Sequence, residues 1–218
     1  MMRPATTKPT PTVTTGGDIL TLTPAGLYCP RGDFHVDPVR PVARALITHG
    51  HADHARAGHG AVLASRQTLD IMAIRYGGDF AGSTQVAGPG ERIRLGEVAV
   101  SFHPAGHVLG SMQVLIEAAG RRIVVSGDYK RQADPTCAPF ELIPCDVFIT
   151  EATFGLPVFR HPPAAGEIDK LLASLALFGE RTHLVGAYSL GKAQRVIAEL
   201  RARGCERTIY LHGALVRL

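Results

Sequence analysis

Three imidazoles and a carboxylate fall within six residues at His49-Gly50-His51-Ala52-Asp53-His54. Neutral imidazole nitrogens and ionised carboxylates are good ligands for borderline divalent metals, so the grouping points first to a metal site. Alternate positions on an extended segment face the same way, and the spacing predicts that His49, His51 and Asp53 converge. His54 then faces elsewhere, as a ligand for a second ion would. Three later residues extend the pattern. His107 sits in a Gly-flanked turn, Pro104-Ala105-Gly106-His107-Val108-Leu109-Gly110-Ser111. Asp128 closes Ser126-Gly127-Asp128 after an apolar run, and Glu151 follows another in Thr150-Glu151-Ala152-Thr153. Singly these read as a structural histidine, a turn residue and a cap. Together they put one metal-capable side chain at the tip of successive strands, along one edge of a sandwich.

Those strands must come from the flanking segments. Residues 42–48 read as a buried strand that delivers the histidine loop, and residues 18–39 as paired strands with turns. A short strand at Ala61-Val62-Leu63-Ala64 precedes a helix over residues 65–76. Ser65 is its N-cap, Leu69, Met72 and Ala73 share a face, and Gly77-Gly78 ends it. Arg92-Ile93-Arg94-Leu95 and residues 98–102 form a hairpin pattern about Gly96. Residues 112–117 and 122–126 form a second. Residues 146–150 make a further strand ending at Glu151. After Phe154 the character changes: helical periodicity over 167–178, a strand-like run over 182–187, a helix over 192–203 and a last strand over 208–211. The chain stops soon after that strand, so a longer working protein is expected.

Lys and Arg number 23 against 19 Asp and Glu, a formal charge of +4. That mild excess permits an anionic substrate without demanding one. Cys29, Cys137, Cys145 and Cys205 form no Cys-x-x-Cys pair or disulfide framework, as in reduced, cytoplasmic proteins. No apolar run approaches the ~20 residues of a membrane span, and the Thr- and Pro-containing residues 1–17 read as a flexible tail without a signal-peptide core.

The His-x-His-x-Asp-His loop, the later Gly-His and the Ser-Gly-Asp resemble the metallo-β-lactamase fold. Thr-Glu-Ala-Thr-Phe-Gly and Tyr-Ser-Leu-Gly-Lys-Ala-Gln-Arg narrow the resemblance to the β-CASP branch of nucleic-acid nucleases. With Gly-Leu-Tyr-Cys-Pro-Arg-Gly-Asp-Phe-His-Val-Asp-Pro, the chain looks most like bacterial ligase-associated DNA exonucleases. The resemblance implies an α/β fold: an αββα sandwich over residues 18–155, then a partial β-CASP-like α/β cap over 156–218. It implies two divalent ions, Zn or Mn. His49, His51 and His107 would hold one, Asp53 and His54 the other, with Asp128 bridging and a water or hydroxide between. Asp53, Asp128 and Glu151 are the implied catalytic acids. Glu151 would orient His54 or another ligand, and Asp37 matches a structural acid near the site. The implied partners are DNA and, by family resemblance, a DNA ligase or helicase. Family members carry further histidine motifs after the cap, which this chain lacks. His212 lies too early to match them.

Residues 186–193 nearly fit a phosphate-binding loop between a strand and a helix, but Ala193 stands where a hydroxyl must reach Mg²⁺. A helix N-terminus with Lys192 is still a natural anion site, so Lys192 and Ser189 are expected to touch substrate phosphate, with Lys130 beside the metals. The expected activity is phosphodiester hydrolysis on nucleic acid, as a DNA exonuclease. Alternatives are an RNA-processing nuclease, a small-molecule ester or thioester hydrolase of the same fold, or an inactive fragment.

Overall fold

Short runs of alternating apolar residues build two facing sheets in a computed structural model that describes residues 19–218; the expected tail over residues 1–17 lies outside the described residues. The first sheet takes β1 (Thr21–Thr23), β2 (Gly26–Cys29), β3 (Phe34–Val36), β4 (Arg44–Leu46), β5 (His59–Ala64) and β6 (Ala81–Val86), side by side in chain order. β1 to β3 pair antiparallel, and β3 to β6 pair parallel. The second sheet runs β11 (Val147–Ile149), β10 (Arg121–Val125), β9 (Met112–Ala118), β8 (Val98–Pro104), β7 (Ile93–Leu95). Its hairpins are the two expected from sequence, and β11 adds parallel to β10.

The inward face of each strand makes one core. Cys29, Phe34, Val36, Leu46 and Leu63 from the first sheet meet Val98, Val100, Phe102, Val114, Ile116, Ile123 and Val125 from the second. The outer face of the first sheet packs its Ala45, Val62 and Ala64 under α1 (Arg66–Tyr76), through Leu69 and Met72. Ser65 caps α1 as expected, its side chain accepting from Thr68 N–H. On the outer face of the second sheet, Leu115 and Val124 pack against Ile143 and Cys145 of the loop before β11. The result is the layered α/β sandwich that the sequence implied.

Three elements differ from expectation. β6 reads Ala-Gly-Ser-Thr-Gln-Val, with no apolar alternation, and is almost wholly exposed. It is a strand because β5 offers it an edge, a cause that composition does not carry. Residues 182–187 and 208–211 look like strands but pair with no described strand. Beyond β11 the chain forms α2 (Ala164–Leu177), α3 (Lys192–Ala202) and a 3₁₀ turn at Gly213–Leu215. All four cysteines are free thiols.

Candidate metal centre

The strand β4 leads through Ile47 and Thr48 to His49, all buried. Thr48 fastens this exit. Its N–H and O–H donate to the two oxygens of Asp37 at 2.8 and 2.6 Å. Its carbonyl accepts Met112 N–H from the opposite sheet at 2.8 Å, so the two sheet rims touch here. Arg75 of α1 donates to the Gly50 carbonyl at 2.6 Å and braces the histidine loop from the other side. Gly127 has a φ of +54°, and a Cβ on it would lie 2.5 Å from Thr48 Oγ1. Only a residue without a side chain lets Asp128 come this close to the histidine loop.

His49, His51, His107 and Asp128 each bring one donor atom, all within 4.8 Å of one another. His51 Nδ1 lies 3.0 Å from His49 Nε2 and 3.2 Å from His107 Nε2. Asp128 Oδ2 lies 3.8 Å from His49 Nε2 and 3.6 Å from His107 Nε2. Four donors around one ion at ~2.0–2.1 Å sit roughly 3.3 Å apart, close to the 3.0–3.8 Å of these four pairs.

The ring partners fix which nitrogens carry protons. Thr48 gives its hydroxyl proton to Asp37, so it accepts from His49 Nδ1–H at 3.0 Å and leaves Nε2 as a lone pair. The Leu190 carbonyl, 3.2 Å from His51 Nε2, accepts that N–H and leaves Nδ1 as a lone pair. Two lone pairs therefore face each other, an arrangement that a cation between them turns from repulsion into ligation. The residues fit a divalent metal on this ground, and the nitrogen-and-oxygen donor set suits Zn²⁺ or Mn²⁺. Burial, then the neighbouring His54, His107 and His51, drives the His49 pKa down to about 2. Burial and His51 drive that of His107 down to about 4. Both rings are thus neutral, the form that ligates.

A second group adjoins the first. Asp128 turns its other oxygen, Oδ1, toward His54 Nε2 at 3.4 Å, and Asp53 Oδ2 lies 3.7 Å from the same nitrogen. Asp37 Oδ2 accepts from His54 Nδ1 at 2.8 Å. Burial opposes a charge on His54, but Asp128 and Asp37 outweigh it and push the ring up to about 10. The His54 contact in turn holds Asp128 down at about 2, against its burial. Carboxylates that grip a proton this firmly mark a place for positive charge.

Not every expected residue joins. His54 and Ala55 both return their N–H groups to the His51 carbonyl, at 3.1 and 2.7 Å, so the chain winds into a turn after Gly50. The extended alternation fails there, and Asp53 stays out of the first donor group, lying on the His54 side with 76% of its side chain exposed. The carboxylate on His54 Nδ1 is Asp37 rather than Glu151. Glu151 accepts Thr153 N–H at 2.8 Å and acts on His107 through its charge. Lys130 is bonded to Asp134. Lys192 stands exposed at the start of α3, 5.6 Å from the Tyr188 ring centre. Ser189 is half-buried, and its carbonyl accepts from Gln194 at 2.8 Å. The phosphate-loop resemblance loses its strand, because residues 182–187 are unpaired among the described residues. His212 caps the 3₁₀ turn through Ala214 N–H at 3.2 Å. Sequence reasoning missed the Leu190 carbonyl on His51, since a backbone acceptor has no residue type to betray it.

The chain is similar to a "Probable DNA ligase" of Opitutus terrae, at 31% identity over 186 residues, covering 80% of this chain and 17% of that protein. An "Endoribonuclease ysh1" of Aspergillus fumigatus is 35% identical over 108 residues, 47% of this chain and 12% of that protein. The "Cleavage and polyadenylation specificity factor subunit 3" of Dictyostelium discoideum is 32% identical over 111 residues, 49% of this chain and 14% of that one. The chain thus spans less than a fifth of the length of each of these relatives. No protein-family model matches.

Proposed function

We propose that this chain, which belongs to the metallo-β-lactamase family in its β-CASP branch, is a metal-dependent phosphodiesterase that acts on DNA, trimming ends as an exonuclease. The observation that carries the reading is Asp128, which offers Oδ2 to the His49–His107 side and Oδ1 to His54. One carboxylate facing two donor groups is the arrangement a two-ion site needs. His49, His51, His107 and Asp128 would hold the first ion, and Asp128, His54 and Asp53 the second. Two such ions lower the pKa of a water and offset charge on a phosphodiester in its transition state. Asp37 and Thr48 orient His54 and His49. Glu151 stands beside His107 and stabilises positive charge on that side. Lys192, with its free charge at the start of α3, and Ser189 position the phosphate. Lys130, already committed to Asp134, adds only its field.

The ligase-named relative supports DNA as substrate and a place beside strand joining; a DNA ligase or helicase as partner is part of the proposed reading. Among the described residues no helix is long and apolar enough to cross a membrane. A cytoplasmic location is part of the proposed reading. The endoribonuclease-named relatives favour a second reading, RNA cleavage by the same site. The test is hydrolysis of end-labelled DNA and RNA oligonucleotides with Zn²⁺ or Mn²⁺, by the chain and by Asp128→Asn. Loss of activity by more than about 100-fold is expected, beyond the 10–100-fold range of residues that only support a ligand. Equal activity in both proteins removes the reading, and preference for RNA selects the second.

A further inference from the structure

The segment after residue 155 reaches back to the metal centre and the loop behind it through the Leu190 carbonyl and the Arg195 side chain. The Leu190 carbonyl accepts from His51 Nε2 at 3.2 Å, and this is the contact that turns the Nδ1 lone pair toward His49 and His107. Leu190 itself is buried, as is Ala193 one turn later, so the carbonyl is anchored. Gly191 has a φ of +92°, and a side chain there would run into Val108, next to His107.

Behind this loop stands Asp134. Its side chain is 4% exposed, and Lys130, Thr136 and Arg195 all converge on it. Lys130 comes from the loop that carries Asp128, while Arg195 belongs to α3. Arg195 Nε lies 3.4 Å from Asp134 Oδ2, and its terminal nitrogen donates to the Ala133 carbonyl at 3.5 Å. A buried carboxylate shared by two cations is firm, because its removal leaves both cations without compensation. α3 is thereby fixed to the loop that carries Asp128, and α3 begins two residues after Leu190.

We infer that Asp134 and Arg195 are positioning residues of the metal centre: their ion pair holds α3 in place, α3 holds the Leu190 carbonyl, and that carbonyl sets the tautomer and aim of His51. The inference rests on the reading of His51 as a metal ligand. A histidine ligand normally gives its second N–H to an acceptor, and loss of such a partner typically lowers metal affinity 10–100-fold. Here the acceptor comes from the far segment, so the sandwich by itself holds an incompletely directed ligand set.

The test is Zn²⁺ affinity of the full 218-residue chain, measured against a chromophoric chelator. Asp134→Asn and Arg195→Leu are each compared with Arg203→Leu, which instead breaks the pairs of Arg203 with Asp169 of α2 and Glu199 of α3. The first two should lose about 10-fold or more in affinity, and Arg203→Leu should stay within about twofold of the parent. Arg195→Leu leaves Asp134 paired with Lys130, so it guards against misfolding of the buried carboxylate variant. Ring ¹⁵N spectra of the metal-free chain supply a second readout: His51 should carry its proton on Nε2 in the parent and become a mixture of tautomers in both strut variants. Parent-like affinity in the strut variants, or an Nδ1–H form of His51 in the parent, overturns the inference. If the parent binds no Zn²⁺, the metal reading fails instead, and the ring spectra alone decide the positioning role.

Discussion

The sandwich and the α2–α3 segment contain runs of similar apolar character with opposite fates. Along β8, Val98, Val100 and Phe102 are almost fully buried between the sheets. Leu184 and Tyr210, from runs that read equally well as strands, are 94% and 91% exposed. α2 buries only Ile168. The difference is in the partners: the central sandwich strands such as β8 have neighbours to receive their N–H groups and a facing layer to cover their side chains. A run of apolar residues becomes a strand only where both exist. Consequently the metal donors hang from the well-packed region, and the second region contributes by touching it at Leu190 and Asp134.

The comparison is broken most severely by Phe102→Ala. A fully buried aromatic removed from the shared core should cost about 3–5 kcal/mol in urea unfolding. A loss below about 1 kcal/mol would mean that the sandwich is not the stable region. Next comes Asp37→Asn, which weakens the partner of both His54 and Thr48. Zn²⁺ affinity should fall roughly 10–100-fold, with a smaller loss of stability than in Phe102→Ala, and an unchanged affinity would move the support of the site elsewhere.

The metal-free chain should also titrate in a particular way. His49 and His107 have folded pKa values of about 2 and about 4 against 6.5 unfolded, so their contribution is present above 6.5 and lost as pH falls toward those values. His54, raised to about 10, does the reverse: its contribution is complete below 6.5 and lost as pH rises through about 10. Thermal midpoints in EDTA should therefore peak near neutrality and decline on both sides, and a monotonic profile would contradict the proton assignments. Lys192→Ala should weaken single-stranded DNA binding a few-fold and lower its salt slope by about 1. An unchanged slope removes that phosphate contact. The smallest effect belongs to Leu184→Ala, expected within about 0.5 kcal/mol of the parent; a larger loss would show that the exposed run is packed.

Much of the first region was legible because its signals are local. The hairpins announce themselves by alternation about turn residues, α1 by Ser65 and its apolar face, and the donors by residue type. Even so, placing Asp53 with His49 and His51 assumed an extended chain, and two backbone hydrogen bonds to the His51 carbonyl wound it into a turn. β6 was invisible because an edge formed it. Asp37, known only as an acid near the site, turned out to serve His54 and Thr48 together, a relation across eleven and seventeen residues that spacing does not encode. Asp134 and the Leu190 carbonyl act across the two regions, and nothing in either segment alone reveals them.

The hydrogen bond from Met112 N–H to the Thr48 carbonyl gives the molecule a clasp. It joins the two rims at the donor end, opposite the β9–β10 turn. The loops beyond it can accordingly lengthen, shorten or be exchanged to suit a new substrate while the bite of the donors stays the same. A scaffold clasped in this way can change its diet without rebuilding its teeth.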